Sequence, residues 1–190
     1  MAFSHTPTRA TLLWLLISLP LVAWDAGYVF LRPHSMPGGS LHWPLWVPYA
    51  LYGEVDHVYG WKSWNAGDGF NGAQSSLNVI ETLMYLYYAL TWYQNKDASG
   101  TVRGKKAATA ALVGYTAAVM TVSKTVLYWL NEYHSGFDNI GHNNWFRLFF
   151  LWVIPNAAWL IFPTVTLIWG ISEEFVNALA GSSAADAKTK

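Results

Sequence analysis

The sequence predicts an all-α protein: a polytopic membrane bundle of four transmembrane helices with a long lumenal connection of short helices. Hydrophobic residues make up 53% of the chain and charged residues 12%, about half the usual charged share. The 12 tryptophans and 11 tyrosines fit the aromatic belts of membrane proteins. Four segments, at residues 10–31, 77–93, 107–130 and 145–171, approach the roughly 20 apolar residues that a bilayer crossing requires.

The first segment resembles a signal peptide at its start, because Arg9 precedes an apolar run. That run continues through Asp25 to Leu31 without a small-residue cleavage site. We therefore expect a retained first helix and a single membrane domain over residues 1–180. The Gly/Ser/Ala/Lys-rich residues 181–190 are predicted to be a disordered tail.

The connection between the first two segments, residues 32–76, is much longer than a typical loop. Aromatic residues alternate with prolines over residues 42–49, which predicts short helices lying at the membrane interface as a lid. Residues 65–72 are rich in Gly, Asn and Asp, and predict a turn before the second segment.

The distribution of Lys and Arg predicts that both termini are cytoplasmic, since cytoplasmic flanks are enriched in these residues. One side of the predicted bundle carries Arg9, Lys96, Arg103, Lys105, Lys106, Lys188 and Lys190, and the other carries Arg32, Lys62 and Arg147. The formal net charge is zero, so nucleic acid is not expected as a partner. The chain has no cysteine, which excludes disulfides and thiolate chemistry.

Three charged residues, Asp25, Glu81 and Lys124, fall inside apolar segments. An ionisable group at the centre of a bilayer costs at least about 2.5–3.5 kcal/mol, so such groups pair, line a cavity or take part in chemistry. A structural ion pair between Lys124 and one carboxylate is one reading of the pattern. It leaves the other carboxylate without this partner.

Each predicted span also carries one stripe of polar and aromatic residues at helical spacing. Because lipid cannot satisfy polar groups, these stripes are expected to face inward, around a cavity for a large apolar ligand. The four stripes comprise Asp25, Tyr28 and Arg32; Asn78, Glu81, Thr82 and Tyr85; Thr121, Lys124, Tyr128 and Glu132; and Trp152, Asn156, Trp159 and Pro163.

These residue types suggest general acid and base chemistry. A carboxyl buried among apolar groups has a raised pKa and can donate a proton near neutral pH. Two carboxyls in one pocket, with pKa values pushed apart, would form an acid/base pair. Lys124 has two further roles open to it: an ammonium that stabilises a negatively charged oxygen, or a neutral amine acting as a base or forming a Schiff base.

The C-terminal half carries specific motifs. The run VLYWLNE at residues 126–132 is followed by GF at 136–137 and GH at 141–142, and then by NAAWLIFP at 156–163. This pattern resembles the emopamil-binding protein family, the 3β-hydroxysteroid Δ8-Δ7 isomerases of the EXPERA superfamily. That family has a VLYFLTE…GF…GH run before an NALWLVLP run.

The resemblance implies a helical bundle of the endoplasmic reticulum membrane that moves a sterol double bond without a cofactor or a metal. Glu81 and Asp25 match the family's working carboxyls and would transfer protons. Asn156 would orient a group by hydrogen bonding, and Trp159 would present its ring face to a carbocation. Lys124 is the third candidate catalytic residue.

Further substrate contacts are expected from a group of polar and aromatic residues: Tyr28, Tyr52, Asp56, Tyr59, Thr82, Tyr85 and Tyr128. Leu21 stands where the family has a histidine, and Lys124 where it has no lysine. We therefore expect a diverged isomerase or cyclase that acts on a hydrophobic polycyclic molecule derived from a sterol, terpenoid or polyketide. The alternative is a non-catalytic sterol-, lipid- or drug-binding protein. Membrane lipid is expected as a partner, and the family suggests a homodimer.

Overall fold

The computed structural model describes residues 3–188 of the chain, and side chains over residues 3–182. The predicted all-α fold is confirmed, with one short pair of strands in addition. The helices are α1 Arg9–Phe30, α2 Pro48–Val55, α3 Trp61–Ala66, α4 Phe70–Asn95, α5 Gly104–His134, α6 Trp145–Leu148, α7 Ile154–Pro163 and α8 Gly170–Lys188; the strands are β1 Ser4–His5 and β2 Val102–Arg103.

The C-terminal helices α6, α7 and α8 follow one another without a loop, joined by the π-helical segments Phe149–Val153 and Thr164–Trp169. Pro155 and Pro163 lie close to these two segments. Proline lacks the N–H that an α-helix needs for its repeating hydrogen bond, so a wider turn beside each proline has a local cause. Counting this continuous stretch once gives six helices in the described part of the chain.

Within the described residues, three helices are long and apolar enough to cross a membrane: Arg9–Phe30, Gly104–His134 and Trp145–Ser182. They correspond to three of the four predicted spans. The remaining prediction, residues 77–93, lies within α4, which does not belong to this group. Its polar residues Asn71, Gln74 and Asn78 lower its average hydropathy.

Helix α4 begins at Phe70, seven residues before the predicted start of the second span. The Asp68 carboxylate accepts a hydrogen bond of 2.8 Å from the Phe70 N–H, which satisfies one of the free donors at the start of the helix. Helix α8 continues to Lys188. The disordered tail expected for residues 181–190 stays a prediction, and residues 189–190 lie outside the described part.

The chain divides into two compact units. The first comprises Met1–Leu19, Glu81–Val122 and Ile161–Lys190. In it, β1 pairs antiparallel with β2, Ser4 opposite Arg103 and His5 opposite Val102. The buried His5 ring lies 2.6 Å from Glu174 Oε2 through Nδ1, and 2.8 Å from the Tyr88 hydroxyl through Nε2. These contacts fasten the N-terminal strand to α4 and α8.

The second unit comprises Pro20–Ile80 and Ser123–Leu160. Two clusters of buried apolar and aromatic side chains form its core: Tyr28, Val29, Met36, Trp46 and Tyr49, and Val55, Val58, Tyr128, Ile140 and Trp152. The predicted short helices of the long connection are present as α2 and α3. Both helices belong to the same unit as residues 126–160, which carry most of the motif residues.

Polar contacts tie this connection to the loop that precedes α6. The rings of His57 and His142 stack with centroids 4.0 Å apart and planes 2° from parallel. His142 Nε2 donates to the Glu54 carbonyl at 2.7 Å, and Asn143 Nδ2 donates to the Val55 carbonyl at 2.7 Å. The end of α2 is thereby held in a defined position within the second unit.

Candidate functional site

The second unit contains a cavity of about 450 Å³. This volume lies within the roughly 300–1,000 Å³ typical of small-molecule sites. Its wall comes from residues 21–25 of α1, 48–52 of α2, 71–78 of α4, 124–128 of α5 and 151–159 of the C-terminal stretch, together with Tyr59. Most of the wall is apolar or aromatic, so the cavity suits a hydrophobic ligand.

One wall presents the carboxylate of Asp25. Tyr49 donates its hydroxyl to Asp25 Oδ1 at 2.5 Å, and Tyr59 donates to Oδ2 at 3.3 Å. The Tyr49 ring stacks on Tyr28, with centroids 3.8 Å apart, and the Tyr28 hydroxyl donates to the Tyr59 carbonyl at 2.9 Å. Burial, followed by the charge of Asp25, raises the pKa of both Tyr49 and Tyr59, so both remain neutral donors to the carboxylate.

A second polar region of the wall is built by α4 and α5. Asn71, Gln74 and Asn78 are spaced three and four residues apart, and so lie on one face of α4. Lys124 Nζ donates to Asn78 Oδ1, and Gln74 Nε2 donates to the Lys124 carbonyl at 3.2 Å. The side chain of Lys124 therefore lines the cavity in a defined position.

The C-terminal stretch contributes Asn156 and Trp159 to the wall. Asn156 Nδ2 donates to the Trp152 carbonyl at 2.9 Å, and the Asn156 side chain is also hydrogen-bonded to the Tyr52 hydroxyl. Burial raises the pKa of Tyr52, which keeps its hydroxyl neutral. Asn156 thus links α7 to α2 across this part of the wall.

Seven of the twelve predicted site residues meet at this cavity: Asp25, Lys124, Asn156, Trp159, Tyr52, Tyr59 and Tyr128. Tyr28 and Asp56 belong to the same unit but are buried behind the lining, each bonded to a residue that forms it or to its backbone. Their predicted contact with substrate stays a prediction. In the structure they contact the lining residues Tyr59 and Tyr128 from behind.

Glu81, Thr82 and Tyr85 belong to the first unit and are not among the residues that line this cavity. The buried Glu81 carboxylate accepts a hydrogen bond of 2.8 Å from Thr121 Oγ1. The Tyr85 hydroxyl lies 3.1 Å from the same Thr121 oxygen. The predicted catalytic role of Glu81 remains a prediction.

Several lining residues were not predicted: Tyr49, Asn71, Gln74, Trp24 and Thr125. Asn71 and Gln74 could have been found, because they continue the helical spacing of Asn78 toward the N-terminus. The predicted connection ran to residue 76, so Asn71 and Gln74 were placed outside the second span and the spacing was not recognised. Tyr49 gives no comparable signal, since helical periodicity does not reveal which aromatic of a long connection meets Asp25.

Comparison with protein-family models, with curated proteins and with solved structures finds no match to this chain. The resemblance to the emopamil-binding protein family thus depends on the motifs alone. Any function proposed for this chain therefore has to be supported by the geometry of the cavity as well.

Proposed function

We propose that this protein is a membrane-embedded isomerase or cyclase that acts without a cofactor on a hydrophobic polycyclic substrate. The observation that carries the proposal is the Asp25 carboxyl on the wall of an aromatic-lined cavity, held by the hydroxyls of Tyr49 and Tyr59. A carboxyl fixed beside a bound alkene can donate or accept a proton during a double-bond shift or a ring closure.

The remaining lining residues support the same chemistry. A protonated alkene is a carbocation, and the ring face of Trp159 offers electron density to such a cation. Lys124 can hydrogen-bond to an oxygen of the substrate and fix its orientation. Asn156 keeps the wall between α2 and α7 in place. Glu81 enters the proposal as a second carboxyl through the motif resemblance.

The setting of this chemistry is a membrane. We propose that α4 is a fourth span beside the three long apolar helices, with its polar residues turned toward the cavity. The motif resemblance favours the endoplasmic reticulum and a homodimer, and the distribution of Lys and Arg favours cytoplasmic termini. A lipid-soluble substrate would reach the cavity without entering water.

Untargeted comparison of lipid extracts tests the proposal without a chosen substrate. Cells producing the wild-type protein are compared with cells producing Asp25→Asn, with Asp97→Asn as a control at an exposed loop carboxylate. We expect an isomer or cyclised product in wild-type and control cells, reduced by about 10²-fold or more in Asp25→Asn. Identical extracts from wild-type and Asp25→Asn cells would contradict catalysis.

Binding measurements separate the enzyme from the alternative, a receptor-like binding protein. A Δ8 sterol serves as the probe, with purified protein in lipid nanodiscs. If both the wild type and Asp25→Asn bind the sterol but no product forms in cells, the protein is a binding protein. The observation that favours this alternative is the mainly apolar cavity wall. Glu81→Gln is examined in parallel: lost turnover with intact folding supports its predicted role, and lost folding indicates a structural one.

A further inference from the structure

A second carboxyl, Asp56, is fully buried behind the cavity wall. Its Oδ2 accepts hydrogen bonds from the Tyr128 hydroxyl and from Trp152 Nε1, the latter at 2.9 Å, and its Oδ1 accepts from the Val58 N–H at 3.0 Å. All three donors are neutral. Among the ion pairs of the described residues, none includes Asp56.

Tyr128 connects this carboxyl to the cavity. Its side chain lines the wall, while its hydroxyl donates to Asp56 Oδ2. The Tyr128 ring stacks against Phe70, with centroids 5.9 Å apart, and against Trp152, 6.2 Å apart. Tyr128 therefore both lines the cavity and bonds Asp56, and its ring is held on two sides.

The surroundings of Asp56 allow it to change protonation state near neutral pH. Burial raises the pKa of Asp56 to about 6, with a contribution in the same direction from the charge of Glu132. Its three donors act in the opposite direction by stabilising the carboxylate. The other titratable groups facing it are the hydroxyls of Tyr52 and Tyr59, which burial keeps protonated.

We propose that Tyr128 and Asp56 form a proton relay that acts as the base of the cavity, with Asp25 as the acid. This inference rests on the proposed function, because it requires a substrate in the cavity. Tyr128 is the catalytic residue, since its side chain lines the cavity that would hold the substrate. Asp56 is a positioning residue that acts through Tyr128.

The proposed step conserves protons and electrons. Asp25 starts in its protonated form and transfers that proton to one alkene carbon, whose π electrons form the new C–H bond. The carboxylate left behind accepts the hydrogen bonds of Tyr49 and Tyr59. A neighbouring C–H bond of the cation then breaks: its proton passes to the Tyr128 oxygen, and its electron pair forms the new double bond. In the same step the original Tyr128 hydroxyl proton moves to Asp56 Oδ2. Asp25 has then lost one proton and Asp56 has gained one, and exchange with water restores both.

The first arm of the test needs no substrate. Infrared difference spectra of the full-length protein in nanodiscs are recorded against pH, following the C=O stretch of a protonated carboxyl. We expect a band with a midpoint near pH 6 that is absent in Asp56→Asn. In Tyr128→Phe the carboxylate loses a donor, and the midpoint should rise by about 1–2 pH units. Tyr133→Phe removes an exposed hydroxyl of α5 that does not line the cavity, and should leave the midpoint in place.

The second arm measures turnover of a Δ8 sterol as a function of pH. In the wild type, kcat should rise with pH through about 6, because the relay accepts a proton only when Asp56 is ionised. Asp56→Asn should lower kcat by about 10²–10⁴-fold, with a smaller effect on KM, and should abolish this pH limb. Asp97→Asn, at an exposed position, should keep the wild-type profile.

The two arms fail separately. A carboxyl band that does not depend on Asp56, or a midpoint that does not move in Tyr128→Phe, overturns the relay even if the sterol is converted. An unchanged kcat profile in Asp56→Asn also overturns it. If the band behaves as expected but the wild-type protein converts no sterol, the relay groups are supported while the proposed function fails for that substrate.

Discussion

The contact between Gly114 and Tyr88 permits a quantitative prediction about the first unit. A Cβ atom added at Gly114 would lie 2.8 Å from Tyr88 Cδ2, 3.0 Å from Cγ and 3.2 Å from Cε2. Tyr88 is fully buried, and its hydroxyl is 2.8 Å from His5 Nε2, so the ring cannot withdraw freely. Gly114→Ala should therefore force a shift in a packed core, which typically costs about 1–3 kcal/mol.

The change also replaces a helical glycine with alanine, which by itself favours the helix by about 1 kcal/mol. Gly170→Ala is the matched control, because Gly170 lies in the same unit with helical backbone angles of −59° and −46° and has no atom within 4 Å of an added Cβ. The gain in helix propensity is shared, so the difference between the two variants reports the steric clash alone.

Thermal unfolding of the purified protein in detergent, followed by circular dichroism, measures this difference. For a chain of this size, about 1–3 kcal/mol corresponds to a Tm for Gly114→Ala about 2–12 °C below that of Gly170→Ala. The clash should largely disappear in a Tyr88→Leu background, where the ring is absent. Equal Tm values for the two alanine variants, or an undiminished cost without the ring, would refute the close contact.

Three further predictions concern stability. His5→Ala removes the shared partner of Glu174 and Tyr88 and should lower Tm by about 2–12 °C, consistent with about 1–3 kcal/mol for an unsatisfied buried group; an unchanged Tm would contradict the fastening of β1. Folding raises the pKa of Asp56 from 3.8 to about 6, so the folded state binds the proton more tightly. The free energy of unfolding should thus fall by about 3 kcal/mol as pH rises through that window, and chemical unfolding of Asp56→Asn should lack this loss. Lys62→Ala breaks an exposed pair with Asp138 and should change stability by less than about 1 kcal/mol; a larger loss would show a structural role for the pair.

The helices were predictable wherever an apolar run was uninterrupted. The predicted segments 10–31 and 107–130 correspond closely to α1 and α5, because a continuous run of apolar residues marks both the helix and its approximate ends. The start of α4 was not predictable in this way. Its first turns carry polar residues that face a cavity, and a polar face in a short sequence window looks like a loop.

The site was predictable to the extent that it is marked by charge. Asp25 and Lys124 were identified because a charge inside an apolar segment is costly, and both line the cavity. The same rule selected Glu81, which belongs to the first unit. Burial of a charge shows that it has a partner, and Thr121 is a partner for Glu81 outside the cavity lining. The rule does not show whether three buried charged residues lie at the same site.

Helix α4 explains why its polar residues do not share one site. Six of its residues follow one another at alternating intervals of three and four: Asn71, Gln74, Asn78, Glu81, Tyr85 and Tyr88. Such spacing fixes the face of a helix on which residues lie. It does not fix their position along the helix axis, because each residue advances the helix by about 1.5 Å.

The stripe therefore changes its role along the helix. Asn71, Gln74 and Asn78 line the cavity of the second unit, while Glu81 bonds Thr121 and Tyr88 bonds His5 in the first. A sequence periodicity that looks like one polar pocket here corresponds to part of a cavity wall in the second unit and to buried hydrogen bonds in the first. This distinction makes Asp56 and Tyr128, which periodicity alone did not select as a pair, better candidates than Glu81 for the second proton-transfer group of the cavity.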